Sequence, residues 1–393
     1  MADDARRPRT RSVATAGWRT TMAILGLSLL IRIGTWQGGL WLYESFHTPI
    51  AELLARFPYA LAAQIWANWD GRWYLSIARL GYQGRPLATA FFPGYPLLLA
   101  MAGGSVAAGI LIASGAYIIG MVYLWQLVAD RHGRAAAWYS IGGLAAFPYA
   151  FFFGAVYSES LYFALAAACL YYVGKRRYGW AAFTAAAASA TSVYGLLLTP
   201  TLAMAMLRDS PGRRRWWLAF LVAPAGFLAY VAFLALRFGR PLLFDQVQIY
   251  WGRHPALPWI GLEAAARSAW QSRRMLTQLT PWQPISPAAN HAINGLNFLV
   301  FVFVLGLWGA SVADEPWEWR IYTVLGLLLP LLAPSRGEPL MSFPRLVLMV
   351  VPIWVGLGAH LAHHRGFRIG YLIAAVPFEI WAMARFLTFH WVA

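Results

Sequence analysis

The sequence predicts an all-α fold, a polytopic helical membrane protein, and three observations carry that prediction. Of its 393 residues, 60% are hydrophobic and only 12% charged, against about 25% charged in an average soluble domain. Apolar segments of about 18 to 25 residues recur along the chain, each long enough to cross a hydrocarbon core. Basic clusters punctuate them, among them Arg131 with Arg134, Lys175-Arg176-Arg177, Arg213-Arg214-Arg215 and Arg365 with Arg368. The alternating polarity of an outer-membrane barrel is absent, and no polar stretch is long enough to bury a soluble core. The chain therefore reads as one membrane domain over residues 1–393, with about ten or eleven crossings.

The net charge of +16 suggests nucleic acid at first sight, but positive residues that gather in short cytoplasmic loops account for it, so no nucleic-acid partner is expected. A single cysteine, Cys169, excludes an intrachain disulfide and a cysteine-based metal cluster. The eight histidines show no metal-ligand spacing. The pattern calls for no cofactor, and it leaves a divalent metal unspecified. Phosphate-binding glycine loops, dinucleotide fingerprints and the Gly-x-Ser-x-Gly elbow are missing as well. The near-exclusive use of Arg over Lys (Lys175 alone) and the lack of an Asn-x-Ser/Thr sequon fit a bacterial multi-pass protein of the cell membrane.

Taken in order, residues 1–19 form a basic tail, Arg6 to Arg19, on the cytoplasmic side. The apolar run that follows is longer than a secretory core and has no small-residue cleavage site, so it is expected to remain as a first span over about 20–43. Residues 44–90 are too polar and too rich in Pro and Gly to span, and read as a first external loop with short surface helices. A Pro-rich leading helix and a span occupy 91–129, followed by spans at about 136–156 and 160–174. Segment 179–207 has basic clusters on both flanks, which implies an even number of crossings; a hairpin bending near Thr191-Ser192 satisfies this. A span at about 216–236 leads to a second external loop, 237–290, and four spans at about 292–312, 320–334, 345–362 and 369–390 complete the chain.

The chemistry is expected in the first loop. Asp70 stands among Trp69, Arg72, Trp73 and Tyr74, a partly desolvated place where a carboxylate's basicity can be tuned. The plainer reading is an interfacial aspartate that pairs with Arg72 or caps a surface helix. Trp66, Trp69, Trp73, Tyr74 and Tyr82 suit either a sugar-stacking platform or an interfacial aromatic belt. Glu159, in Tyr157-Ser158-Glu159-Ser160, lies in an aromatic setting where a carboxylate is costly unless paired or functional; a helix-start carboxylate is the alternative. Arg345, in Ser342-Phe343-Pro344-Arg345-Leu346, offers a guanidinium for phosphate at the outer mouth of a span, or simply snorkels. Arg336, Arg240 and Arg253 are further candidates for a phosphate.

With these residues laid out, the chain resembles the PIG-V family of mannosyltransferases, within the membrane-embedded GT-C glycosyltransferases. The likeness rests on Trp69-Asp70 with Tyr74 to Tyr82, Phe91-Phe92-Pro93-x-Tyr95-Pro96 and Tyr157-Ser158-Glu159-Ser160-Leu161. It continues in Phe238-Gly239-x-Pro241, through Gln248 to Trp251-Gly252-Arg253, and ends in Pro344-Arg345. The resemblance implies a GT-C-like bundle, a polyprenyl-phosphate-mannose donor and an active site on the non-cytoplasmic face. It makes Asp70 the catalytic base, with a lipid or glycan as acceptor and inversion at the anomeric carbon. On this reading Arg345 and Arg336 bind the donor phosphate. Trp69, Arg72, Trp73, Tyr74, Tyr95, Glu159, Gln248, Trp251 and Arg253 contact substrate. One departure stands out, since Ser192 occupies a position where relatives often carry Arg. A lipid or sugar flippase and a non-catalytic subunit of a glycosyltransferase complex share the same apolar composition. A flippase predicts inverted repeats and broken helices at the midplane, and no repeat is visible.

Overall fold

The computed structural model describes residues 17–45, 63–209, 220–276, 280 and 286–392. Arg6 to Arg11 of the basic tail, Glu52, Arg213 to Arg215 and Pro281-Trp282 lie outside them. The principal helices are α1 (Trp18–Ser45), α2 (Asp70–Leu80), α3 (Gly94–Met101), α4 (Val106–Ala145), α5 (Glu159–Gly174), α6 (Tyr178–Thr191) and α7 (Leu198–Asp209). After these come α8 (Ala225–Phe238), α9 (Pro258–Gln271), α10 (Pro287–Ser311), α11 (Trp317–Leu328), α12 (Phe343–Leu346), α13 (Val351–His363) and α14 (Arg365–Leu387). Sheet-type pairing among the described residues is confined to one antiparallel bridge, Arg253 to Ser335. The all-α membrane class expected from composition therefore holds.

The number of helices that could cross unaided is smaller than the expected crossings. Among the described residues four helices, α1, α4, α14 and the stretch Ala289–Asp314, are long and apolar enough to cross a membrane unaided. Two bent pairs raise the number to six if each is one span: Ala225–Phe238 with Leu243–Trp251, bent by 82°, and Phe343–Met349 with Val351–His363, bent by 86°. The shortfall from about ten or eleven has a physical cause. Helices α5, α6, α7 and α11 hold 16, 14, 12 and 12 residues, short of the roughly 20 that a crossing needs. Each stops at, or starts from, irregular backbone. Such backbone is tolerated at membrane depth where it is buried in protein or lines a cavity.

Two breaks fall where the sequence places them. In α4, Gly133 is non-helical (φ 86°, ψ 170°) and divides the helix into two arms, at the basic turn that separates two expected spans. The hairpin of 179–207 is formed by α6 and α7, which part at Ser192, an extended residue (φ −158°, ψ 152°). The Tyr178 hydroxyl donates to the Asp209 carboxylate at 2.6 Å, and Arg176 pairs with the same carboxylate at 3.2 Å. The start of α6 and the end of α7 thus meet, while the tip projects to the other end of the molecule.

The chain has two chemically distinct ends. At one, Lys175 pairs with Asp130 at 2.8 Å, Arg208 with Glu318 at 2.5 Å, and Arg131 lies over the Trp319 ring at 4.2 Å. At the other end, the amide of Val156 donates to the Trp66 carbonyl at 2.9 Å, that of His254 to Pro334 at 3.2 Å, and the Asn68 side chain to Phe386 at 2.9 Å. This second end holds the functional candidates. Part of the first loop is core rather than membrane surface. Trp66 is fully buried beside Gly39 of α1 and Gly154, so it offers no face to a sugar.

Candidate active site

Asp70 opens α2 because the preceding residue forces the chain to turn. Trp69 adopts φ 56°, ψ −116°, a conformation a bulky residue holds only when its surroundings compel it, at a cost of about 1–3 kcal/mol. Its indole stacks on Phe389 (4.6 Å between ring centres, 8° between planes) and meets Trp391 edge-on at 5.2 Å. The Tyr157 hydroxyl accepts from the Asp70 amide at 3.2 Å and donates to the Asn68 carbonyl at 2.9 Å. Helix α2 then buries Gly71, Tyr74, Leu75 and Ile77 at helical spacing and ends at Gly81, whose φ of 65° continues as a turn. Asp70 is thereby fixed at a helix start, against tyrosine and tryptophan.

Arg345 comes from the far side of the sequence. It follows Ser342, also left-handed (φ 65°), in the short helix α12. Its Nη1 donates to Asp70 Oδ2 at 2.6 Å, and its Nε stands 3.1 Å from Glu159 Oε1. The guanidinium also lies 5.2 Å from the Tyr157 ring centre and 5.6 Å from that of Phe152. Asp70 pairs with Arg345 rather than Arg72; it does stand at a helix start, as the plainer reading allows, but no side-chain cap bond is formed there, and Arg345 is drawn inward rather than snorkelling. The second oxygen of Glu159, Oε2, is buried with no hydrogen-bond partner. Behind the cluster, the Tyr74 hydroxyl shares a 2.8 Å hydrogen bond with Ser158. Burial, reinforced by Glu159 and Asp70, raises the Tyr74 phenol well above its usual pKa, so it stays protonated.

These groups line a cavity of about 750 Å³. Of the residues singled out from sequence, Trp69, Asp70, Arg72, Trp73, Tyr74, Glu159, Gln248, Trp251, Arg253 and Arg345 all face it. Tyr95 and Arg336 do not. Tyr95 is fully buried below Tyr74, with its hydroxyl donating to the Gly109 carbonyl at 3.1 Å. The Arg336 side chain lies outside the lining, while its amide donates to the Gly252 carbonyl at 3.0 Å. Both are corrections to the expected contact set: one supports the wall, the other its backbone. Tyr82 is buried as well, its hydroxyl on the Phe91 carbonyl at 2.7 Å.

Other lining residues carried little signal in sequence. The hairpin tip contributes Thr191, Ser192, Val193 and Tyr194, and Ser192 brings no charge to it. Phe389 and Trp391 close one side. The Trp391 indole donates to Glu338 at 2.5 Å, tying this segment to the loop before α12. Arg72 lies over the Phe389 ring at 4.7 Å.

Arg253 is placed by its neighbour. Gly252 is left-handed (φ 71°), and a β-carbon there would meet Ser335 Oγ at 2.9 Å, so the Trp251-Gly252-Arg253 turn needs glycine. The Arg253 guanidinium donates to the carbonyls of Ala333 and Met341, each at 3.1 Å. Its burial presses the pKa down from the usual arginine value, with Tyr194 and Asp70 opposing that effect.

A second, apolar groove of about 610 Å³ shares a wall with the first. Phe92 and Thr191 line the cavity, whereas their chain neighbours Pro93 and Ala190 line the groove with Ile77, Ala78, Ala100 and Tyr230. Among the described residues no group of three His, Cys, Asp or Glu gathers as a metal site. No protein-family model matches this chain, and no curated protein matches it significantly. The functional reading therefore rests on the geometry above and on the resemblance in motifs.

Proposed function

We propose that this protein is a membrane mannosyltransferase of the GT-C type, acting at the non-cytoplasmic face of the cell membrane. It moves a mannosyl residue from a polyprenyl-phosphate donor to a lipid or glycan acceptor. The observation that carries the reading is a paired, cavity-facing aspartate in an aromatic-walled chamber that adjoins an apolar groove. Such a chamber suits a substrate with a polar head and a long apolar tail. The donor's isoprenoid chain runs in the apolar groove, and its sugar projects into the cavity.

Asp70 acts as general base. Its Oδ2 is held by Arg345, which aims the carboxylate, and Oδ1 takes the proton of the acceptor hydroxyl. As that O–H bond breaks, the acceptor oxygen forms its bond to the anomeric carbon from the side opposite the phosphate. The bond between that carbon and the phosphate oxygen breaks with its electron pair on the phosphate, so configuration inverts. Phosphate leaves as a stable anion, and one base suffices where a retaining glycosidase needs two close carboxylates. Glu159, through its unpartnered Oε2, accepts a hydrogen bond from a substrate hydroxyl.

The test is incubation of purified, reconstituted protein with polyprenyl-phosphate mannose and candidate acceptors. Wild type transfers sugar, and Asp70→Asn loses at least about 100-fold in turnover while keeping its ligand-free melting midpoint. Full activity in Asp70→Asn removes the proposed base. Binding without turnover by wild type favours a non-catalytic subunit, and movement of intact lipid across vesicles favours a flippase.

A further inference from the structure

The phosphate of a lipid-borne substrate needs a cation, and three arginines face the cavity: Arg72, Arg253 and Arg345. Arg345 is already engaged. It bridges Asp70 at 2.6 Å and Glu159 at 3.1 Å, so one guanidinium and two carboxylates give the cluster a formal charge of −1 before substrate arrives. A phosphate drawn to Arg345 meets both carboxylates at short range, in a setting only partly open to water. Arg72 is exposed and occupied with the Phe389 ring.

Arg253 differs from both. Among the described residues no carboxylate forms an ion pair with it. Two backbone carbonyls, of Ala333 and Met341, take one N–H each and fix the guanidinium plane. The remaining donors of its five are left for a ligand. The segment bearing it is braced along its length, with the Ser335 hydroxyl donating to the Trp251 carbonyl at 3.1 Å and the Arg336 amide to Gly252 at 3.0 Å. A half-buried, preorganised cation without an ion-pair partner among the described residues is a binding site for an anion, and its planar fork matches phosphate oxygens.

We propose that Arg253 binds the phosphate of a phosphate monoester or diester carried on a long apolar chain, and that Arg345 is a positioning residue for Asp70. The identity of that chain as a polyprenyl rests on the glycosyl-transfer reading. The geometry of charge does not.

The experiment titrates polyprenyl phosphate, without sugar, into the full chain in detergent. Binding is followed by tryptophan fluorescence, for which Trp251 is a built-in reporter, with polyprenol and inorganic phosphate as controls. Arg253→Gln weakens binding of polyprenyl phosphate by about 10- to 100-fold and leaves polyprenol unchanged, with Arg253→Lys in between. The double variant Arg345→Met/Glu159→Gln binds polyprenyl phosphate within about threefold of wild type. In Arg345→Met the acid limb of the turnover–pH profile moves while the donor KM is kept, and Arg345→Lys, which keeps the charge, returns the limb toward wild type. Wild-type affinity in Arg253→Gln overturns the proposal, as does an equal loss in the double variant. If Arg253→Gln melts early without ligand, a structure of wild type with polyprenyl phosphate decides: phosphorus beside Arg253 supports the assignment, and phosphorus beside Arg345 overturns it. Phosphate-lipid binding through Arg253 without sugar transfer sinks the enzyme reading alone. Transfer that needs Asp70 but ignores Arg253→Gln sinks the phosphate site alone.

Discussion

Arg345→Met isolates the electrostatics of the cluster. The three side chains expose only 12% (Arg345), 20% (Asp70) and 5% (Glu159) of their surface, so water screens them weakly. Without the guanidinium the two carboxylates face each other. Both lie within salt-bridge distance of the one guanidinium, and two like charges about 4 Å apart at an effective dielectric of about 20 repel by on the order of 4 kcal/mol. That agrees with the roughly 3–5 kcal/mol lost when one partner of a buried pair is removed. The protein relieves the repulsion by binding a proton between them. With about 1.36 kcal/mol per pH unit, and a discount for the partial exposure of Asp70, the acid limb of the turnover–pH profile is expected to move by about one to two pH units. Removal of a cation raises a carboxylate pKa, so the base is protonated at a pH where wild type is active, and the acid limb moves to higher pH. The assay is turnover against pH for wild type, Arg345→Met and Arg345→Met/Glu159→Gln, with the melting midpoint of each. Glu159→Gln on the Met background removes the second charge and returns the limb toward wild type. An unmoved limb in Arg345→Met, or further loss instead of relief in the double variant, refutes the reasoning.

Two more outcomes follow from the packing. Trp69→Ala removes the stack on Phe389 and the edge contact with Trp391, each worth about 0.5–1.5 kcal/mol; thermal melting falls accordingly, and turnover falls more than donor affinity because Asp70 loses its support. Ala78→Trp fills the apolar groove and raises the KM for long-chain donors, while a short-chain, soluble donor is used as by wild type; equal effects on both chain lengths remove the tail from that groove.

The legibility of this fold follows from the range over which each feature is set. Apolar length and basic clusters are local, so the class, the break at Gly133 and the hairpin turn at Ser192 are readable from the chain. The number of unaided crossings is not, because α6 and α11 stop, and α5 and α7 start, beside irregular backbone that lines the cavity. Site residues divide the same way. Asp70, Glu159 and Arg345 stand out one at a time, as charges in aromatic surroundings. Their contact joins positions 275 residues apart, and no periodicity encodes it. The carbonyl clamp on Arg253 and the wall of Phe389 and Trp391 depend likewise on distant partners. Tyr95 misleads for the converse reason: its neighbourhood in sequence is that of the site, yet its ring belongs to the layer beneath.

The latch between the first loop and the C-terminal end of α14 with the residues after it has a consequence for biosynthesis. The Asn68 amide reaches the Phe386 carbonyl across 318 positions, and Trp69 rests on Phe389. On the proposed reading, a nascent chain still lacking that final helix has every charged participant of the cluster and the Arg345 and Tyr157 contacts, but not the support beneath Trp69, and full turnover is expected only once α14 is inserted. Switching on is then an assembly event, and a chain cut between α13 and α14 should recover competence once both fragments are inserted side by side.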